Sequence, residues 1–303
     1  MSTSIDKISD FAMLLAWPLA NSIDKLIRGT MIGKIDPQRL DSIFSIMVKI
    51  KWINSERYRA GTIGLLQECS TQQELDTAEH VLTSLKYCTS NDIEEAASDA
   101  ATAISQGWKL TPQNTVLVGL AEPSRPCGSI AFVRAIQNKL PREWEASIYT
   151  TFVSAFRHRN GAENLVIVDD FVGTGSKVSE RLDRLSRNPK TSNFRIHVVA
   201  FAGMNEGLTR IADLLDNRVN VHIALDKCIK GILPAERAIA LANEMTLLEK
   251  KIFSNPGKYS FGYGQSEAAF YLESANIPNN SFPILWWDKY ADESERSTLF
   301  SRR

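Results

Sequence analysis

A chain of 303 residues with 35 basic and 35 acidic side chains carries no formal net charge, which argues against a large nucleic-acid footprint. Its 44% hydrophobic and 23% charged residues are those of an ordinary globular protein, and its length predicts two domains. The four cysteines, Cys69, Cys88, Cys127 and Cys228, include no C-x-x-C pair, so neither a zinc site nor a redox motif is signalled.

The stretch Met1 to Asp10 carries acidic residues and one lysine, unlike a signal peptide. The apolar run Phe11 to Ala20 is short for a bilayer and contains Pro18. A reduced, cytoplasmic chain with no membrane partner is expected.

Residues 1–108 read as helical throughout. Asp36-Pro37 pairs an N-cap with proline at the first helical position, ahead of Leu40, Ile43, Phe44, Met47 and Val48 at helical spacing. Thr71-Gln-Gln-Glu74 has the form of a capping box before Leu75, Ala78, Val81 and Leu82. Ser90 or Asn91 opens another helix, whose small residues Ala96, Ala97, Ala100 and Ala103 suggest close packing. His80 has no second ligand nearby and reads as structural. Lys49, Lys51, Arg57 and Arg59, with Trp52 and Tyr58 among them, read as a solvated face.

The period changes near residue 110. Thr115 to Leu120 reads as a buried strand, followed by a loop with two prolines, 121–127, and a helix from about 128 to 139. Ser147 to Phe152 is a plausible strand, and 155–161 a polar connection. Strands are expected at 164–170, 194–201 and 219–225, with helices at about 176–187, 206–216 and 234–253. His197 and His222 alternate with apolar strand neighbours and read as structural. Such alternation of strands and helices implies an α/β fold with a parallel sheet and right-handed crossovers. After 253 the pattern breaks. Tyr259 to Gly264 sets aromatics among glycines, and 276–283 with Leu285-Trp-Trp287 is rich in turns.

The centre of the chain is 164–177. Leu165 to Val168 form an apolar run, Asp169 and Asp170 end it, Gly173-Thr-Gly175 turns, and a helix begins near Ser176. Ligands of open parallel sheets bind beyond the carboxyl ends of the strands. Backbone N–H groups at such a turn suit a phosphate, and paired carboxylates suit ribose hydroxyls or a magnesium ion reached through water. A Walker loop fails because Lys177 follows Ser176 and precedes Val178. A Rossmann fingerprint fails because Val178 stands at the third glycine position and two aspartates would repel a pyrophosphate.

Val166-Ile-Val-Asp-Asp-Phe-Val-Gly-Thr-Gly-Ser-Lys177 resembles the ribose-phosphate motif of the type I phosphoribosyltransferases at nearly every position. The resemblance implies a phosphoribosyltransferase-like α/β domain over 109–303, an all-helical partner or regulatory domain over 1–108, and a hood at about 255–303. It implies that Asp169 and Asp170 approach the ribose of phosphoribosyl pyrophosphate, or of a nucleotide, with Mg2+ held through water. Val172, Gly173, Thr174, Gly175, Ser176 and Lys177 would cradle its 5′-phosphate. Arg125 in Glu122-Pro-Ser-Arg-Pro-Cys-Gly128 would meet the pyrophosphate, and Arg157, His158 and Arg159 would supply a mobile-loop cation. Tyr263, Asn279, Asn280 and Trp286 of the hood would meet the base. Lys177 departs from the family's hydroxyl residue, and the 121–127 loop departs from its glycine-rich form.

Over its whole length the chain also resembles the phosphoribosyltransferase-like proteins of bacterial anti-phage systems. That implies a nucleotide-modifying effector held by a protein partner through the helical domain. Family members commonly dimerise, which implies a homo-oligomer. The alternative is a sensor that binds the same ligand without turning it over.

Overall fold

The structure, a computed structural model, describes residues 43, 45–120, 128–158, 161–253, 255–273 and 275–302. The chain divides into two compact units, Met1–Lys51 and Trp52–Arg303. Within the first, residues 45–49 are helical. The Asp36-Pro37 helix start lies outside the described residues.

The second unit is built on a parallel five-stranded sheet. Its strands are β2 (Thr115–Gly119), β3 (Ile148–Tyr149), β4 (Asn164–Val172), β5 (Arg195–Met204) and β6 (Val219–Leu225), in the spatial order β3-β2-β4-β5-β6. Renumbered from β2, this is the doubly wound order 2-1-3-4-5, whose direction of winding reverses between β2 and β4. The carboxyl end of β4 therefore lies at the switch point, where ligands bind in such sheets.

The apolar run of β4 is buried on both faces, as a central parallel strand must be. Val166 and Val168 face one side, with Leu117 and Val199. There they meet α3 (Ser90–Thr102), through Ala96, Ala97 and Ala100, and α4 (Gly128–Lys139), through Phe132, Val133 and Ile136. Leu165 and Ile167 face the other side. They pack on α5 (Phe152–Arg157), on α6 (Ser176–Arg187) through Val178, Leu182 and Leu185, and on α7 (Asn205–Leu214) through Leu208 and Ile211. The alanines of α3 allow the close packing that their stripe predicts.

Two expectations are corrected. The polar connection at 155–161 is in part the helix α5, opened by Thr151 Oγ1 accepting from the Ser154 N–H at 3.2 Å. The stretch before residue 109 is not all helical. After α1 (Glu56–Glu68) and α2 (Gln72–Ser84) comes β1 (Lys86–Cys88), which pairs in parallel with β7 (Phe270–Leu272). Three residues carry no readable period, and the strand exists only because a partner far along the chain completes it. The compact unit takes in α1, α2 and α3 together with the sheet.

Other local signals hold. Thr71 and Glu74 form the capping box of α2, and Thr89 with Asp92 forms that of α3. Glu74 also takes Lys251 of α8 (Ala235–Phe253) at 2.6 Å. That ammonium and the Ser70 and Thr71 amides hold its carboxyl below its usual value against the cost of burial. Cys69, Cys88 and Cys228 are buried and form no disulfide among the described residues; Cys127 lies outside them.

Three of the four histidines, His80, His197 and His222, make structural contacts. His80 Nε2 lies 2.9 Å from the Cys228 carbonyl, and His222 Nδ1 lies 2.7 Å from Asp99 Oδ2. His197 is buried against the Trp108 ring, and burial pushes its pKa down to about 4.

The C-terminal tail is fastened by two buried charges. Arg296 gives Nε and Nη2 to the two oxygens of Glu68, each at 2.7 Å, and its other donors reach the Trp287 and Ile284 carbonyls. Glu267, fully buried, accepts from the Ile229 and Lys230 amides at 2.9 and 2.8 Å. Arg296 is matched by hydrogen bonds, and Glu267 by two amides on Oε2 and by the Lys230 ammonium 3.4 Å from Oε1, which is what makes burial tolerable.

Candidate phosphate-loop site

β2 ends at Gly119, in register with Val168, while β4 runs on to Val172 beside β5. Asp169 and Asp170 therefore stand just past the end of one neighbour strand and still inside the pairing with the other. Successive strand residues leave on opposite faces. Asp169 reaches toward α6, where Lys177 Nζ lies 3.2 Å from its Oδ1. Asp170 lies against the start of α4: a methyl group on Gly128 would overlap its Oδ2. Gly128 is what lets the helix N-terminus approach that carboxylate, and the helix dipole favours a negative charge there.

The two carboxyls differ in environment. Asp169 is 1% exposed, and its Oδ2 has no hydrogen-bond partner among the described residues. Burial pushes its pKa up to about 8; the Lys177 ammonium opposes the rise and the Asp170 charge adds to it. Asp170 is half-buried. Among the described residues no three His, Cys, Asp or Glu side chains gather as a metal site.

Val172 closes β4 with its side chain in the core, so only its backbone can serve a ligand. The turn follows. Gly175 takes a left-handed φ of 77° as the N-cap of α6. Its Cα lies against Gly207 of α7, where a methyl on either glycine would strike the other's loop or helix backbone. Thr174 Oγ1 and Ser176 Oγ are 3.0 Å apart, and the Ser176 N–H points to Thr174 Oγ1 at 3.4 Å. The first turn of α6 contains no acidic residue. The turn thus offers amide donors, two hydroxyls and a positive dipole end, the chemistry that suits an anion.

The tail packs on this turn. A methyl on Gly173 would overlap the Asn280 side chain, and one on Gly264 would overlap Thr174 Cγ2. Asn280 is buried and donates to the Tyr263 carbonyl at 3.0 Å and to Ser266 Oγ at 2.8 Å; the Tyr263 amide donates to the Asn279 carbonyl at 2.7 Å. Of the predicted hood residues, Asn280 and Tyr263 reach the loop, with Asn280 acting as a brace. Asn279 contributes its carbonyl. Trp286 packs edge-on to Tyr259 and donates to the Ser281 carbonyl at 3.0 Å. Glu249 of α8 accepts from Ser260 Oγ at 2.6 Å and from the Phe261 amide at 3.0 Å, and burial raises its pKa to about 7.

Between loop and tail lies a cavity of about 520 Å3. Thr174 and Ser176 form one wall, Glu206 and Arg210 of α7 another, and Lys258, Ser260, Tyr263 and Gln265 the third. Arg210 and Lys258 escape sequence reasoning. An arginine on an amphipathic helix looks like solvated surface, and nothing near Lys258 in sequence points to a phosphate loop more than 80 residues earlier.

Arg125 and Arg159 lie outside the described residues. Arg157 and His158 are not brought to the carboxylates. The single Tyr149 O–H lies between the Ala146 and His158 carbonyls, at 2.9 and 3.1 Å, and Ala146 precedes β3, so this run lies toward the amino ends of the strands.

No described helix is long and apolar enough to cross a membrane. Solved structures resemble the chain, among them the AQ2163 protein from Aquifex aeolicus, at 13% identity over 65% of this chain and 86% of that one. The TM-score is 0.30, too low to carry an argument. A search of curated proteins finds no match. The model of the PRTase-CE family matches residues 66–302, a span that takes in the sheet, the phosphate loop and the tail. This phosphoribosyltransferase-like α/β chain belongs to the PRTase-CE family.

Proposed function

We propose that residues 169–177 bind a ribose 5-phosphate ligand, phosphoribosyl pyrophosphate or a nucleotide, and that the protein transfers or cleaves at the anomeric carbon of that ribose. The observation that carries the reading is the carboxylate pair at the switch point, followed at once by an anion-binding turn on the N-terminus of α6. Spacing and chemistry agree: phosphate on amides, hydroxyls on carboxylates. Thr174 and Ser176 hold the phosphate, Asp170 accepts from the ribose, and Asp169 braces Lys177 beside the phosphate.

Magnesium keeps several waters and takes one or two carboxylates with substrate oxygens. Asp170, half-buried at the cleft, fits that role through water; Asp169, enclosed and paired with Lys177, fits only behind it. When bound, such an ion supplies charge stabilisation for a leaving pyrophosphate.

Calorimetry tests the reading. The protein should bind phosphoribosyl pyrophosphate, and D169N/D170N should lose at least tenfold in affinity. Undiminished binding in that double variant would sink it. The Lys177–Asp169 contact favours a second reading, binding without turnover, because it fills the acidic pair with an internal cation. Tight binding with no pyrophosphate release would select it. The role of an anti-phage effector, restrained by a partner and acting as a homo-oligomer in the cytoplasm, rests on whole-chain resemblance. Toxicity on expression that D169N/D170N abolishes would support it.

A further inference from the structure

The cavity beside the loop is too large for the group that the loop itself explains. One phosphate occupies a corner of the Thr174–Ser176 wall, whereas about 520 Å3 lies in the range of roughly 300–1,000 Å3 that holds whole small-molecule ligands. Its chemistry is not that of a solvent gap. Arg210 and Lys258 bring two cations from separate elements, α7 and the tail. Glu206 on the same wall is engaged by Lys227 at 3.0 Å, which offsets its charge. Tyr263 is 37% exposed on the cavity side of the tail, with Lys258 Nζ 5.9 Å from its ring centre, and Gln265 adds an amide.

We infer that this cavity is a second subsite, which takes what is attached to the 5′-phosphate: a further phosphate and its nucleoside. The inference rests on the reading of the loop as a ribose 5-phosphate site. The loop amides hold the first phosphate. Arg210 and Lys258 pair with the second, since charge-assisted bonds to phosphate are the strong ones. The Tyr263 face stacks a base, as aromatic rings do for any base, and Gln265 meets its edge. The ligand class is a pyrophosphate-linked dinucleotide whose terminal ribose lies at Asp170, as distinct from a mononucleotide. The direction follows from the lining, which holds Thr174 and Ser176 but neither Asp169 nor Asp170, so the cavity lies on the phosphate side of the turn, away from the ribose carboxylates. The brace of Asn280 on Gly173 holds that wall in place, and Gly264 gives the tail its close approach to Thr174.

Equilibrium binding of three probes tests this: ribose 5-phosphate, AMP and ADP-ribose. The wild-type chain should bind ADP-ribose at least tenfold more tightly than ribose 5-phosphate, with AMP near the latter. R210Q/K258Q and Y263A should each remove most of that advantage and leave ribose 5-phosphate affinity within about twofold. These side chains are exposed, so retained ribose 5-phosphate binding also reports an intact fold. ADP-ribose no tighter than ribose 5-phosphate, or unchanged by R210Q/K258Q, overturns the second subsite while leaving the loop reading in place. Failure of all three probes to bind overturns the loop reading, and the subsite falls with it.

Discussion

Lys177 Nζ stands 3.2 Å from Asp169 Oδ1, joining the first turn of α6 to the carboxylate that ends the apolar run of β4. The contact spans the turn 173–175, so the acidic pair and the start of α6 are coupled through one side chain. Burial outweighs the lysine at Asp169, whose pKa still lies up at about 8.

Replacing Lys177 by methionine should therefore matter more to ligand than to fold. The ammonium is half exposed, and half-exposed pairs contribute about 0–1 kcal/mol. Urea unfolding of K177M should change by no more than that. Its affinity for phosphoribosyl pyrophosphate should fall about tenfold, or about 1.4 kcal/mol, since the turn loses the Lys177 ammonium and Asp169 the positive charge beside it. Equal losses in both measurements would contradict this division.

Gly207 makes a purely steric prediction. A methyl there would collide with the Gly173 carbonyl and come within 2.8 Å of the Gly175 amide. G207A should cost about 1–3 kcal/mol by overpacking and displace the turn. Gly107 has nothing within 4 Å of the same position, so G107A should stay within about 0.5 kcal/mol. Differential scanning calorimetry of the pair checks the contrast.

Arg296 should be among the costliest single positions in the tail. Its fork fills Glu68 and two carbonyls while only 1% exposed. R296A leaves a nearly buried carboxylate without its cation, held only by the Tyr290 hydroxyl among the described residues, at about 3–5 kcal/mol. Lysine cannot offer the planar fork, so R296K should recover only part of the loss in chemical denaturation.

The turn was legible because its determinants are local: an apolar run, two aspartates, glycines at fixed offsets and a hydroxyl-bearing helix start. The sheet followed from alternating periods. What could not be read was everything made by distant contacts. β1 is a strand only because Phe270 to Leu272 lies beside it. Asn280 becomes a brace only where it meets Gly173, and Arg210 a cavity residue only where α7 faces the tail. The short helix α5 was missed because its Thr151 cap sits inside Ser147 to Phe152, where isoleucine, tyrosine, threonines and phenylalanine read as a strand.

Glu249 gives a pH dependence. Its folded pKa of about 7 lies above the ordinary value of 4.5. Between those values the folded state holds a proton that the unfolded chain releases, so the stability that Glu249 contributes is full below pH 4.5 and falls as pH rises to 7. The Glu249 contribution to that fall is on the order of 3 kcal/mol. E249Q keeps a hydrogen-bond acceptor for Ser260 or Phe261 and removes the titration. Unfolding free energies at pH 5 and 7.5 should differ less in E249Q than in the wild type.

The central claim is that the turn after β4 receives the 5′-phosphate of a ribose. The most direct measurement is a crystal structure with phosphoribosyl pyrophosphate. The account predicts the 5′-phosphate within hydrogen-bond distance of the amides of 174–177 and the ribose hydroxyls at Asp170. A phosphate bound elsewhere, with this turn unoccupied at saturating ligand, would contradict it.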